Sequence, residues 1–212
     1  MHKNYLTYIG YNPVTTFNPY AKLPSIHTTA YLSPFTYIVG DVRIGRNVYV
    51  APFVSVRADE GTPFYIGTNS NLQDGVILHG LKHEYVMKND RKYSIYIGNG
   101  VTCAHGALVH GPCLVEDRVF IGFGSVIFNA TIGQGSFISS GAVVTNGVVL
   151  KPGSFVPPGA SIDSQDKADI LTKVPVDRKQ FAEEVQRVNR EFPAAYSLYL
   201  GQKRCSCGIA CD

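Results

Sequence analysis

The stretch Ile132–Val144, IGQGSFISSGAVV, has an aliphatic residue at every sixth position: Ile132, Ile138 and Val144. A small residue, Ser136 or Ala142, lies two positions before each of the later two. Hexads of this kind are typical of a parallel β-helix, in which each hexad forms a short strand and a corner, and three hexads close one coil. The stretch therefore predicts an all-β solenoid.

The same six-residue spacing extends through most of the chain. From Ile26 to Ile162 it gives 21 positions, of which only Cys103 is not aliphatic. At three hexads per coil, 21/3 predicts about seven coils of a β-helix over residues 26–164. The positions are Ile26, Leu32, Ile38, Ile44, Val50, Val56, Ile66, Leu72, Leu78, Ile97, Cys103, Val109, Val115, Ile121, Ile127, Ile132, Ile138, Val144, Leu150, Val156 and Ile162.

The repeat is interrupted at three places. The gap from Val56 to Ile66 is 10 residues, or 6 + 4, and the gap from Leu78 to Ile97 is 19, or 6 + 13. We interpret both as loops that leave the corners of the coil. The gap from Ile127 to Ile132 is one residue short and predicts a tightened turn.

Different segments flank the repeat on both sides. Residues 1–25 hold Pro13, Pro19 and Pro24 among aromatic residues and are predicted to form an extended cap on the first coil or an arm to a neighbour. Residues 165–204 are predicted to be helical. Residues 205–212 form a cysteine-rich tail.

The predicted C-terminal helix has both a start and an apolar stripe. Asp177 and Gln180 resemble a capping box, and Pro193 is expected to kink the helix. Apolar residues recur at spacings of 4, 3, 4, 3 and 4, which predicts an amphipathic helix lying along the β-helix. They are Phe181, Val185, Val188, Phe192, Ala195 and Tyr199.

Charge and hydropathy exclude some partners. The net charge is +3, from 19 basic and 16 acidic residues, and no basic run is present, so nucleic-acid binding is not expected. No stretch approaches 18 apolar residues, and the first ten residues lack a signal-peptide core. We therefore expect no membrane association and a cytoplasmic location.

Two histidines fall on the same outward phase of the repeat. His79 and His110 each follow an inward aliphatic residue, and their separation of 31 residues is 13 of loop plus 18, one coil. Arg57 shares this column, because 22 residues to His79 are 4 of loop plus 18. Strands in neighbouring coils lie about 4.7–4.9 Å apart, so two imidazoles come within reach of one metal ion.

His105 lies on a different face. It follows Cys103 by two residues, and 105 − 74 = 31 places Asp74 in its column. Side chains on adjacent faces of a prism diverge, so His105 is badly placed to join His79 and His110 of the same chain. A threefold ring would bring it to that pair on a neighbour. The phases predict a homotrimer with three interfacial metal sites, each with three imidazole ligands and an open position.

Five motifs resemble those of the γ-class carbonic anhydrases. They are Asn12–Thr15, Arg57–Gly61, Asn71–His79, Ala104-His105 and Val109–Pro112. The resemblance extends from about Asn12 to the C-terminal helix. It is to the branch of the family that holds an archaeal enzyme and the N-terminal domain of a carboxysome scaffold protein.

The resemblance implies a left-handed β-helix trimer that converts CO2 to bicarbonate with a metal-bound hydroxide. The metal, Zn²⁺ with Fe²⁺ or Co²⁺ as alternatives, would be held by His79, His105 and His110. The resemblance also implies a carboxysome-like compartment and scaffold partners. The other roles that it implies are subunit contacts by Arg57, Asp59 and Asp74, a hydrogen bond from Gln73 to the hydroxide, proton transfer by Glu60, and a place near the site for Asn189.

The 13-residue insertion departs from the archaeal member of that family. The archaeal loop is acidic and carries a proton-shuttle glutamate, whereas here basic residues outnumber Glu84 and Asp90. That shuttle is therefore not transferred to this chain, although Glu84 and His83 stay candidates. The basic residues are Lys82, Lys88, Arg91 and Lys92.

The five cysteines fall into two groups. Cys103 and Cys113 lie on inward phases and are predicted to be small buried residues. Cys205, Cys207 and Cys211 lie in the tail. The resemblance to the carboxysome homologue suggests Cys205 and Cys211 as a redox pair that switches activity.

Two other functions stay open. The chain could be a γ-carbonic-anhydrase-like scaffold without activity. It could also be a hexapeptide-repeat acyltransferase in which one interfacial histidine acts as general base; three phased histidines and Gln73-Asp74 argue against this second alternative.

Overall fold

The computed structural model describes residues 7–200, which form 22 short strands and two helices. The tail cysteines Cys205, Cys207 and Cys211 lie outside the described residues. The strands are β1 Tyr8–Gly10, β2 Ser25–Ile26, β3 Tyr31–Leu32, β4 Tyr37–Gly40, β5 Val42–Ile44, β6 Tyr49–Val50, β7 Ser55–Ala58, β8 Phe64–Ile66, β9 Asn71–Leu72, β10 Ile77–His79, β11 Val86–Lys88, β12 Arg91–Tyr93, β13 Ile95–Ile97, β14 Thr102–Cys103, β15 Leu108–Val115, β16 Phe120–Ile121, β17 Val126–Ile132, β18 Phe137–Ile138, β19 Val143–Val144, β20 Val148–Leu150, β21 Phe155–Val156 and β22 Ser161–Ile162.

Parallel pairing stacks these strands into the three faces of a β-helix. We call them the histidine face (β1-β4-β7-β10-β15-β17-β19-β22), the second face (β2-β5-β8-β13-β15-β17-β20) and the helix face (β3-β6-β9-β14-β16-β18-β21). Strands β15 and β17 run through a corner and belong to two faces. The predicted fold, a left-handed parallel β-helix followed by a C-terminal helix, is confirmed.

The coil is longer than the hexads predicted. The histidine face has eight rungs, because Tyr8 pairs with Tyr37 and Gly10 with Val39, so β1 adds a parallel strand. The segment 1–25 is thus not a cap throughout. The hexads could not show this strand, since β1 lies outside their phase and is held by pairing with β4.

The aliphatic hexad positions form the core. From Ile38 to Ile162 none of them is more than 5% exposed, and only Ile26 and Leu32, in the first coil, are partly buried. Cys103 and Cys113 are buried as predicted, and burial raises the pKa of each thiol to about 12. A neutral thiol is a small apolar residue, which is why Cys103 can replace an aliphatic residue in the repeat.

The interruptions leave the stack in phase. The 13-residue insertion forms the antiparallel hairpin β11–β12, with Val86 paired to Tyr93. Lys88 Nζ lies 2.8 Å from Glu116 Oε1 and ties the hairpin to the coil. At the short gap, β17 continues through the corner, where Asn129 has a φ of 47°.

Two helices follow the last coil, α1 Gln165–Asp169 and α2 Val176–Tyr199. Helix α2 lies along the helix face, where Tyr196 stacks on Tyr31 and Tyr49. It includes Pro193. No helix among residues 7–200 is long and apolar enough to cross a membrane.

Two details of the predicted helix are wrong. Pro175, not a capping box at Asp177 and Gln180, precedes the first helical residue, and no side chain caps it. Of the predicted stripe, Phe181, Val185 and Phe192 pack on the helix face, but Val188 and Tyr199 are 39% and 75% exposed. The fully buried residues of α2 are Asn189, Pro193 and Ser197. The apolar spacing predicts the stripe, but the shape of the aromatic surface beneath α2 decides which side faces it.

Candidate functional site

His79 and His110 stand side by side on the histidine face. They are register partners in the parallel pair β10–β15, and Arg57 is the partner of His79 on β7. The structure thus confirms that Arg57, His79 and His110 stack in one column, as the repeat spacing predicted. Nδ1 of His79 lies 3.2 Å from Nε2 of His110, with the rings nearly perpendicular at 74°.

In each ring, the nitrogen that points away from the other ring lies near an oxygen that can accept a hydrogen bond. We call these two the outer nitrogens, and the two that face each other the inner nitrogens. Nε2 of His79 lies 3.2 Å from Oδ1 of Asp59, and Nδ1 of His110 lies 3.1 Å from the carbonyl oxygen of Gly111. A carboxylate and a carbonyl only accept, so these two nitrogens carry the ring protons. The inner nitrogens therefore face each other with their lone pairs, an arrangement that a cation between them stabilises.

The geometry of this pair suits a metal ion. Two nitrogens bound to one tetrahedral zinc at about 2.0–2.1 Å lie about 3.3 Å apart. Burial, and then the positive charge of Arg57, lower the pKa of His79. Both effects favour the neutral imidazole, which is the form that binds metals.

Two carboxylates flank the histidine pair from the loop after β7. Asp59 contacts His79 and lies 3.6 Å from Nε of Arg57 through its other oxygen. Glu60 has Oε1 3.6 Å from Nε2 of His79, and its Oε2 accepts a 2.6 Å hydrogen bond from the backbone N–H of Lys82. The loop thus places both carboxylates near Nε2 of His79, Asp59 closer than Glu60.

His105 lies in the turn between β14 and β15, at the corner that joins the helix face to the histidine face. Its Nδ1 is 2.9 Å from Oδ2 of Asp74, and its ring stacks on Phe123 at 5.7 Å. The side chain is 56% exposed. The bond to Asp74 leaves Nε2 as the lone-pair nitrogen. Within residues 7–200 of one chain, no three His, Cys, Asp or Glu side chains are grouped to hold a metal.

Gln73, Asn189 and His105 line a cavity of about 270 Å³ between α2 and the helix face. Gln73 donates to Oδ1 of Asn71 at 3.2 Å, and Asn189 donates to the carbonyl oxygen of Val185 at 2.9 Å. Oδ1 of Asn189 is buried and has no partner within residues 7–200. The predicted site residues thus form two half-sites, one on the histidine face and one beside α2.

Several residues of the two half-sites were not predicted. Phe128 packs its ring edge-on against His110, and Phe123 stacks on His105. Repeat arithmetic could have found both, since 110 + 18 = 128 and 105 + 18 = 123. Thr102 and Gln186, which join α2 to the helix face outside the two half-sites, could not be found in this way. Thr102 Oγ1 accepts from Asn71 at 3.0 Å and from Gln186, on α2, at 3.2 Å.

Comparison with known proteins gives relatives in sequence and in fold. No family model matches the chain. It is 44% identical over 185 residues to the carboxysome assembly protein CcmM of Nostoc, covering 87% of this chain and 33% of that protein. It is 42% identical over 133 residues to the carbonic anhydrase of Methanosarcina thermophila, covering 58% of this chain and 54% of that enzyme. The chain thus matches about half of the enzyme and a third of CcmM.

Among solved structures, a hexapeptide transferase family protein from Anaplasma phagocytophilum matches with a TM-score of 0.66 and 22% identity. This match covers 82% of this chain and 93% of that one, and it shows the fold alone. The two sequence relatives agree with the resemblance found in the motifs. The chain is a homologue of the γ-class carbonic anhydrase of Methanosarcina thermophila and of the carboxysome protein CcmM.

Proposed function

We propose that this protein catalyses the reversible hydration of CO2 to bicarbonate at metal sites between the subunits of a homotrimer. The observation that carries the proposal is the 3.2 Å distance between Nδ1 of His79 and Nε2 of His110, whose other ring nitrogens both lie near oxygen acceptors. The match to the carbonic anhydrase of M. thermophila supports the same activity.

Three histidines would hold the metal, His79 and His110 of one chain and His105 of the next. Zinc fits this set, with iron(II) or cobalt(II) as alternatives. When bound to three imidazoles, zinc supplies the Lewis acidity that generates a nucleophile from water near neutral pH.

The hydrogen bonds around the histidines prepare them as ligands. Asp59 and the carbonyl of Gly111 fix the ring protons on the outer nitrogens of His79 and His110, and Asp74 does the same for His105. Such partners hold the ring orientation and raise the basicity of the ligating nitrogen. Arg57 and Asp59 sit beside the pair, where they can also contact the neighbouring subunit.

The remaining site residues would handle substrate and protons. The amide nitrogen of Gln73 is occupied by Asn71, which leaves its Oε1 free to accept a hydrogen bond from the nucleophile. Phe123 and Val188 make the walls of the cavity apolar, which suits CO2, and Asn189 adds a polar group. Glu60, beside His79 and partly exposed, would carry the proton away to solvent.

The exposed apolar side chains support the trimer. Ile77, Phe123 and Phe128 border the two half-sites and are 44%, 45% and 37% exposed in the single chain. Phe181 and Val188 on α2 are also exposed. Apolar surface around incomplete sites is what a ring interface would cover.

A second candidate is a scaffold that keeps the fold, and even the metal, without turnover. The similarity to CcmM favours it, and so does the hairpin β11–β12 with its flanks, which carries Lys82, Lys88, Arg91 and Lys92 in place of an acidic shuttle loop. In this case the protein would act with scaffold partners in a carboxysome. The transferase relative shares only the fold, and fold alone does not assign acyl transfer.

The test is metal content together with stopped-flow CO2 hydration by anaerobically purified protein, with and without reductant. About one metal per chain with activity is expected, because a ring of three has three interfaces. His105→Ala should lose the metal, whereas His27→Ala, in the first coil, should keep it. Metal without activity would favour the scaffold, and absence of metal in the wild type would contradict the proposal. A reductant effect would point to the cysteine-rich tail as a switch, and loss of that effect in Cys205→Ser would support Cys205 and Cys211 as the pair.

A further inference from the structure

A second and larger cavity lies on the other side of α2. It has a volume of about 600 Å³ and runs between the first half of α2 and the corner that joins the second face to the helix face. None of the candidate carbonic anhydrase residues lines it. We call it the basic groove. Its volume is in the range of sites that bind small molecules, about 300–1,000 Å³.

The charges that line the basic groove are strongly unbalanced. Five cationic side chains and one acid, Glu183, border it. Arg187 is paired with Glu184, but no salt bridge joins Arg118, Lys179 or Arg190 to an acid within residues 7–200. The other cation is Lys173. Unpaired cations around a concave surface attract an anion and concentrate the field in the groove.

Arg118 occupies a backbone position that normally suits glycine. Its φ is 57°, and the corresponding corners of the coils beside it carry Gly100 and Gly135, at 63° and 66°. The left-handed conformation is strained for a residue with a Cβ, and glycine would remove this strain. Other corners of the coil also carry left-handed residues with side chains, among them Phe35 and Phe53 at 64° and 62°. Arg118 differs from them in adding a cation to the basic groove.

Two features inside the basic groove restrict the chemistry of its ligand. Val119, Phe120 and Phe137 form its apolar wall and are 1%, 4% and 5% exposed there. On the opposite side, Oε1 of Gln186 is buried and has no hydrogen-bond partner within residues 7–200, because only its Nε2 is used, by Thr102. A buried acceptor without a donor is costly, and a ligand N–H would satisfy it.

We propose that the basic groove binds a nucleoside phosphate. Arg118, Lys179 and Arg190 would contact the phosphates, the apolar wall would cover the base, and Gln186 would accept a hydrogen bond from an exocyclic amine. Adenine combines a flat ring with such an amine. This assignment is independent of CO2 hydration, since it uses other residues on the other side of α2.

The experiment is calorimetric titration of the full-length chain with ADP, and separately with adenosine and with pyrophosphate. ADP should bind. Adenosine and pyrophosphate should each bind at least about tenfold more weakly than ADP, because each contacts only part of the groove. Failure of ADP to bind at millimolar concentration would overturn the proposal. Equal affinity for pyrophosphate and ADP would also overturn it, because the groove would then recognise only an anion.

The variant Arg118→Gly tests ADP binding without weakening the fold. This variant removes the cation and also the left-handed strain, so its thermal stability should equal or exceed that of the wild type while ADP affinity falls about tenfold. Arg190→Ala should weaken ADP to a similar degree. The matched control is Arg43→Ala, an exposed arginine on β5 outside the groove, which should leave the affinity unchanged. Wild-type affinity in both Arg118→Gly and Arg190→Ala would refute the site.

Discussion

At His79, one carboxylate decides which ring nitrogen carries the proton. Asp59 accepts a hydrogen bond from Nε2–H, which leaves the lone pair on Nδ1, the nitrogen that faces His110. If Asp59 were absent, the ring could adopt the other tautomer or rotate, and the two inner nitrogens would no longer converge. The geometry of the half-site thus depends on a residue that would not itself touch the metal.

Asp59→Ala should weaken zinc binding by about 10–100-fold, the usual effect of losing a hydrogen-bond partner of a ligating histidine. The measurement is competition with a chelator of known affinity. Asp41→Ala is the matched control, because Asp41 forms a surface ion pair with Lys22 away from the histidines. Equal zinc affinity in the two variants would show that Asp59 does not position His79.

The docking of α2 depends on an aromatic cluster near the first coils. Tyr196 lies 5.5 Å from Tyr31 and 5.7 Å from Tyr49 between ring centroids, nearly parallel to both. Phe192 packs against Tyr49 and Tyr196. This contact is at one end of α2, whereas Phe181 packs on Phe120 near the other end. The helix is therefore held at both ends, with Gln186 and Asn189 between them.

Tyr196→Ala should loosen the C-terminal turns of α2, since each lost aromatic pair contributes about 0.5–1.5 kcal/mol. Hydrogen–deuterium exchange over residues 192–200 should become faster, while exchange in the core strands stays unchanged. Leu198→Ala is the control, because Leu198 lies on the same turns of α2 and is 67% exposed. If both variants exchange alike, the cluster does not hold the helix.

At the scale of the whole molecule, the proposed trimer would complete each half-site of one chain with a half-site of its neighbour. Every interface of a ring would join the pair of one chain to His105 of the next. This arrangement makes a specific prediction for mixed trimers, because each half-site can be removed separately.

His105→Ala and His79→Ala should each lose metal and activity when assembled alone. Co-expressed in equal amounts, they should recover about one quarter of both, because an interface is complete only when each variant contributes its intact half, with a probability of 1/2 × 1/2. Metal content of the purified mixture and CO2 hydration are the measurements. If the mixture held no more metal than either variant alone, a site shared between subunits would be contradicted.

The sequence by itself determined the β-helix and the register of its columns. One coil of 18 residues sets which side chains stack, so Arg57, His79 and His110 could be aligned, and His105 assigned to another face, by counting alone. The same period explains why Cys103 and Cys113 are buried. Residue roles at the site came from the resemblance, because spacing does not distinguish Gln73 or Glu60 from other polar residues.

Only the tertiary structure decided the contacts that no period encodes. The extra rung β1, the buried side of α2 and the bond from Gln186 to Thr102, which are 84 residues apart, depend on surfaces formed after the coil has folded. The facing lone pairs of His79 and His110 also belong here, since the orientation of each ring is set by a hydrogen bond, to Asp59 or to Gly111, rather than by its place in the repeat.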